Sequence, residues 1–152
     1  MWLLNTALQN RIPFNKPHGV AISKINPNGF EVKVPYKRKN LNHIKGIHAC
    51  ALATASEYVA GLSLMRRLGT EKYRLIMETM HIEYRYQAKT DVIASFELSE
   101  AFLQENVLQP LEGSDKVVVE FTSLVHDTAG NLVSEALTRW QIKAWDKVKT
   151  KP

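Results

Sequence analysis

Apolar and polar positions alternate along this chain in two rhythms, and the boundaries between them predict the elements. In the opening segment Trp2, Leu3, Ala7 and Leu8 fall on one face of a short helix that ends at Pro13. The stretch GVAISKINPNGFEVKVPY then changes to period two. Val20, Ile22 and Ile25 lead into the turn sequence NPNG, and Phe30, Val32 and Val34 resume beyond it, which predicts a β-hairpin. Residues 37–46 are polar and read as a loop. From about His48 to Leu68 small and apolar residues run on with no proline, a long helix for which Gly69 supplies the C-terminal cap. Period two returns at 73–87, through Ile76, Glu78, Met80, Ile82, Tyr84 and Tyr86, and at 91–99, through Val92, Ala94, Phe96 and Leu98. Leu103 and Val107 mark a short helical piece. KVVVEFTSLVHD and NLVSEALTRWQIKAW form a last hairpin around Thr128, Ala129, Gly130 and Asn131, and the tail, residues 146–152, is expected to fray.

Helix, hairpin, long helix and antiparallel meander make an α+β plan, read here as one domain over residues 1–152. One helix cannot cover both faces of such a sheet, so an uncovered apolar face and homo-oligomerisation, as a dimer or a dimer of dimers, are expected. Composition changes this picture little. The apolar region Ala49–Met65 is interrupted by Thr54, Ser56, Glu57 and Ser63, which suits a core helix and not a membrane span. A single cysteine, Cys50, allows no internal disulfide, and MWLLNTALQN lacks the form of a secretory signal, so a cytoplasmic protein is expected. The net charge of +5 admits nucleic acid, anionic lipid or a phosphorylated ligand as partner. Its basic residues cluster only briefly, as KRK at 37–39, RR at 66–67 and KVKTK at 147–151, with no nucleic-acid-binding motif alongside.

The most informative stretch is NHIKGIHACALATASEYVAGL, residues 42–62, where a glutamate stands in the middle of the apolar helix. The order of elements resembles the hotdog fold, in which an antiparallel β-sheet wraps around one long central α-helix. Within that fold the stretch resembles acyl-CoA thioesterases of the phenylacetyl-CoA type. Those carry an Asn, a Gly, a His-Gly-Gly and then a carboxylate nine residues beyond the His. It is also similar to a group of bacterial hotdog proteins assigned only provisionally as thioesterases. Here the matching residues are Asn42, Gly46, His48 and Glu57, with six residues from Asn to His and nine from His to Glu. Three departures stand out: Ala49-Cys50 replaces Gly-Gly, the carboxylate is Glu where Asp is commoner, and Gly46 lies one residue nearer the histidine.

Thioester hydrolysis needs a base or nucleophile, and donors for a carbonyl oxygen that gains charge. The start of the long helix offers free N–H groups and a positive dipole, so the backbone of Ala49 and Cys50 is the candidate oxyanion hole. Glu57 is the candidate catalytic group, either activating water or attacking directly. Asn42 is placed to orient water, or merely shapes its turn. His48 holds the loop or approaches the carbonyl, and Thr79 is a possible accessory. The residues around Glu57 on its own helix are Ala53, Thr54, Ala60 and Gly61, with Cys50 and Leu64 seven away, and this is not the composition of a solvated face. On an ideal helix nine residues amount to about 13.5 Å of rise and about 900° of rotation, which sets His48 and Glu57 on opposite sides and calls for a site shared between two subunits.

The resemblance implies an acyl-CoA or other acyl thioester as partner, coenzyme A entering as part of the substrate and not as a cofactor. Arg66, Arg67, Lys72, Arg74 and Arg85 are candidate contacts for its phosphates. No metal is expected, since His43 and His48 have no third ligand at a recognisable spacing, and Cys50 lacks a base at a helical neighbour position. The alternative to hydrolysis is a non-catalytic acyl-thioester binder, which Ala49-Cys50 favours. The hotdog dehydratases and isomerases place their histidine differently. A basic nucleic-acid module would bind with strong salt dependence.

Overall fold

The computed structural model describes residues 1–149. Its six strands form one antiparallel sheet in the order β1-β2-β4-β5-β6-β3. The strands are β1 (Ala21–Asn26), β2 (Gly29–Val34), β3 (Tyr73–Tyr84), β4 (Val92–Glu97), β5 (Lys116–Asp127) and β6 (Leu132–Ala144). Helix α1 (Trp2–Arg11) precedes β1, and the 20-residue α2 (Ala49–Leu68) joins β2 to β3. Between β4 and β5 lie α3 (Glu100–Leu103), a π-helical turn (Gln104–Leu108) and α4 (Gln109–Gly113). Pro110 in this segment has no N–H to return to the carbonyl four residues back, which favours the widened turn before it.

Alternate strand residues turn one face inward: Phe30, Val32 and Val34, then Val92, Ala94 and Phe96, then Val117, Val119, Phe121 and Val125, all buried. Helix α2 lies on that face and touches β2, β3, β4, β5 and β6, burying Leu52, Ala55, Val59, Leu62 and Leu64. Phe96 and Phe102 both pack on Phe121, with ring centroids 5.2 and 5.6 Å away. Leu103 and Val107 are buried in the same core, as their spacing suggested. The NPNG turn needs its glycine, because a Cβ on Gly29 would stand 1.9 Å from the Phe96 carbonyl oxygen.

Three expectations change. In α1, Trp2 and Leu3 are 75% and 74% exposed and Ala7 is exposed too. The inward face carries Asn5, Leu8 and Gln9 instead, and the helix buries no residue fully. Asn5 binds the edge strand through both halves of its amide, accepting from Ile22 N–H (2.8 Å) and donating to Ile22 C=O (2.9 Å). In β3 a bulge at Glu78 breaks the even-numbered phase, so Leu75 and Met77 pack on the core while Ile76 is 46% exposed. The outward face of the sheet is also more polar than expected around β3 and β6. Arg139 pairs with Glu78 and Glu120 there, and Arg85 with Glu83 and Glu135. A bulge at Ser23 does the opposite service in β1, letting Ile22 and Ile25, three residues apart, both line one cavity. Of the tail, Trp145–Lys147 forms a 3-10 turn and Val148 is buried, whereas residues 150–152 lie outside the described residues.

Candidate functional site

Glu57 stands in the middle of α2, half-buried, on the wall of a cavity of about 320 Å³. Ala53, Thr54 and Gly61 flank it on the helix, as the small-residue pattern suggested, while Ala60 and Leu64 turn into the core. The opposite walls come from distant segments: Phe14 and Asn15 from the turn after α1, Met65 from α2, and Met77 and Met80 from either side of the β3 bulge. No hydrogen bond or ion pair reaches the Glu57 carboxylate from the described residues. Burial therefore raises its pKa above the ordinary glutamate range, because water is removed and no partner charge replaces it. Next to it the Tyr58 phenol is also pushed up, first by burial and further by the Glu57 charge, against a hydrogen bond with Asn15. Gly61 makes room for this arrangement, since a Cβ there would lie 3.1 Å from Trp140 and 3.7 Å from Glu57 Oε1.

The start of α2 is built from the loop that precedes it. Buried Asn40 donates to the carbonyls of His18 (2.8 Å) and Pro35 (2.9 Å), its Oδ1 meets His18 Nδ1 at 3.0 Å, and its own carbonyl accepts from His48 N–H at 2.8 Å. His48 is the N-cap: its Nδ1 accepts from Cys50 N–H at 3.1 Å. Accepting at Nδ1 places the ring proton of the neutral imidazole on Nε2. This contact changes the expected oxyanion hole. The Cys50 N–H is already used within the cap, and the N–H groups of Ala51 and Leu52 bond to the His48 carbonyl. Among the described residues the Ala49 N–H is the donor of the first turn left without a partner.

Asn42 does shape its turn. Its Oδ1 accepts from Ile44 N–H (3.1 Å) and Gly46 N–H (3.0 Å), and its backbone N–H donates to Gly46 C=O (2.9 Å). It lines a cavity with Ala49, Tyr84, Arg85 and Gln87, whereas His48 and Cys50 line another with His18, Lys39 and Thr54. The His48 cavity adjoins the Glu57 cavity, Phe14 and Thr54 being common to both. The opposite-side placement expected from ideal helical rotation therefore does not hold. His48 precedes the first helical residue, and Cys50, seven residues before Glu57, lies on the glutamate's own face. Thr79 is exposed and absent from the cavity, because the bulge turns Met80 inward in its place.

The five candidate phosphate contacts are dispersed. Arg67 pairs with Glu100, Arg85 with Glu83 and Glu135, and Arg74 donates to Gln141 (3.1 Å). Arg66 donates to the Asn26 carbonyl (2.9 Å) and lies 5.4 Å over the Phe30 ring. Lys72 is exposed and forms no ion pair with the described residues. Among the described residues no group of three or more His, Cys, Asp or Glu side chains is arranged to hold a metal ion, and no helix is long and apolar enough to cross a membrane. Sequence reading missed Phe14 and Met77, which reach the Glu57 cavity only through tertiary packing, as well as Tyr58 and Met65 on the same helix and Trp140, which packs against Gly61. The one local signal was the pairing of a carboxylate with a glycine four residues on.

A six-stranded antiparallel sheet with a long helix across its inner face is the arrangement seen in solved thioesterase-type structures. A Pseudomonas aeruginosa protein described as being of unknown function, "Probable Thioesterase", superposes with a TM-score of 0.84 at 21% identity, over 93% of this chain and 94% of that one. A variant of a second Pseudomonas aeruginosa protein, described as a thioesterase, gives 0.72 at 10% identity over 93% and 92%. A variant of a Staphylococcus aureus thioesterase enzyme gives 0.69 at 15% identity over 86% and 98%. The fold is thus the hotdog fold that these thioesterases share. The family described as a domain of unknown function (DUF4442) matches residues 1–142, and the chain belongs to that family. No curated protein matches it.

Proposed function

We propose that this protein is an acyl thioester hydrolase, acting on acyl-CoA or a related thioester, with Glu57 as its base. One observation carries the reading: a half-buried carboxylate without a partner among the described residues faces an apolar cavity, on the helix whose first N–H, that of Ala49, is free. A carboxyl raised by burial is a stronger proton acceptor at neutral pH than a solvated one, provided it is ionised. In the reaction the Glu57 carboxylate takes a proton from water as the oxygen adds to the thioester carbon. The carbonyl oxygen becomes an oxyanion, held by the Ala49 N–H and the helix dipole. When the tetrahedral species collapses, the C–S bond breaks and the thiolate leaves with the proton from Glu57, giving an acid and a free thiol.

Ala49 and Glu57 are eight residues apart on one helix, about 12 Å of rise, too far to serve one carbonyl from the same chain. The reading therefore includes a second copy, so that the helix start of one subunit completes the cavity of the other in a dimer or dimer of dimers. Coenzyme A would enter from the surface. Of the candidate cations Lys72 is the most available, and Arg67 and Arg85 would first have to leave their carboxylates. The single, exposed Cys50 suits a reducing compartment such as the cytoplasm.

The capping contact favours one competing reading. With Cys50 N–H given to His48, a single donor remains for the oxyanion, which suits a protein that binds acyl thioesters without cleaving them. Free-thiol release from a panel of acyl-CoAs separates the two. Hydrolysis that is lost in Glu57→Ala and Glu57→Gln supports the hydrolase, and tight binding with no thiol release in the native protein supports the binder.

A further inference from the structure

A cavity of about 510 Å³, larger than the one that holds Glu57, opens elsewhere in the chain. It lies beneath α1, and Leu8, Ile22, Phe30, Leu62 and Met65 form its apolar walls. Helix α1 rests on the core through half-buried Leu8. It is tied to β1 by the Asn5 amide clamp and by Gln9, which donates to the Val20 carbonyl at 3.4 Å, and it buries no side chain fully. Apolar walls left open to water forgo the stabilisation that burial would give, in proportion to their area. Polar ties that hold the roof up therefore suggest a space meant to be filled.

The two cavities run in succession. Met65 lines both. Along the facing segment Ile12 lines the Glu57 cavity, while Arg11 just before it and Leu8 one turn earlier line the space under α1. Met65 is unbranched, with three rotatable bonds, so it is suited to a partition that moves aside for an apolar chain. Arg11 and Arg66 also line this space, and Arg66 is pinned by the Asn26 carbonyl and the Phe30 ring.

We infer that the space beneath α1 receives the far end of the acyl chain, so that the substrate is a long-chain acyl thioester that passes Glu57 and Met65 into it. The inference rests on the thioester reading of the Glu57 cavity. A short acyl group ends at Met65, and each further methylene that enters the second cavity raises kcat/KM by up to roughly fourfold.

The test compares butyryl-, octanoyl- and palmitoyl-CoA in the native protein and in Ile25→Trp and Leu4→Trp. Both positions line the second cavity, are 44% and 39% exposed, and so accept a larger side chain without disturbing the core. In the native protein kcat/KM rises from butyryl- to palmitoyl-CoA. Both variants lower it at least tenfold for palmitoyl-CoA and leave butyryl-CoA within twofold. A profile that favours butyryl-CoA, or an indole that acts equally at every length, overturns the inference and leaves the hydrolase reading intact. If the native protein hydrolyses none of the three, the hydrolase reading fails and calorimetry with palmitoyl-CoA decides. Binding that Ile25→Trp weakens tenfold supports the channel, and no binding, or binding the indole does not change, overturns it.

Discussion

At the scale of single residues the site turns on the cost of leaving Glu57 half-buried without a partner. Replacing it by Gln or Ala is expected to lower kcat/KM for thioester hydrolysis at least a hundredfold, the usual loss when a positioned acid–base group is removed. Because burial raises its pKa, the rate in the native protein should climb with pH through a midpoint above the ordinary glutamate range, which a pH–rate profile reads directly. The same shift has a signed effect on stability. A carboxyl that holds its proton more tightly when folded loses stability as pH rises from the unfolded pKa through the folded one. Glu57→Gln is therefore expected to unfold at higher urea than the native protein at pH 7, with the difference vanishing at acid pH. Asn40 makes the opposite kind of contribution. Its amide satisfies two carbonyls in a buried place, so Asn40→Ala should cost about 2–4 kcal/mol in urea unfolding and loosen the loop that presents His48. Of these two residues only Glu57 was legible in the sequence, through its small neighbours. Asn40 looked like any loop asparagine, because its partners, His18 and Pro35, come close only after folding.

At the scale of elements, alternation was enough to place β2, β4, β5 and β6, where Val32, Val34, Val92, Ala94, Phe96, Val117, Val119, Phe121, Val133, Trp140 and Ile142 are buried while Leu137 faces outward. It failed in β3 because a bulge changes the phase without changing the composition. Glu78 is the extra residue, its carboxylate taken up by Arg139 (3.3 Å) and Gln141 (2.8 Å) on the neighbouring strand. Deleting Glu78 removes the extra residue and leaves Leu75, Met77, Met80 and Ile82 on one face in unbroken alternation, opposite the same partners on β6. The expected outcome is a cooperative thermal transition that is retained, with a midpoint lowered by about 5 °C or less through loss of the Glu78 contacts to Arg139 and Gln141. Helix α1 failed for another reason: its inward face is Asn5, Leu8 and Gln9, so its main ties to the fold are amides, which hydrophobic periodicity does not register. In α2 the cap was legible only as a boundary. His48→Ala should cost the helix about 0.5–2 kcal/mol and release the Cys50 N–H, and a double-mutant cycle with Thr54→Ala, whose hydroxyl bonds the Cys50 carbonyl at 2.8 Å, would report how far the first turn acts as a unit.

At the scale of the whole molecule, residues from three separated segments line the Glu57 cavity, and the segment after α1 is the one furthest from it in sequence. This is why the fold could be read from one chain's pattern while the cavity could not: rhythm assigns elements, but not which distant side chains they bring together. The expected state in solution is a dimer or larger, measured by sedimentation, and a stable monomer at micromolar concentration with undiminished hydrolysis would remove the shared site. The clamp of Asn5 on Ile22 bears on that assembly. The sheet has two margins. On one, a helix from the chain itself already fills the outward hydrogen bonds of Ile22, and on the other the twelve-residue β3 has none of its own strands beyond it. Molecules that splice their ribbons do so more readily at the open border, which favours pairs over endless fibrils.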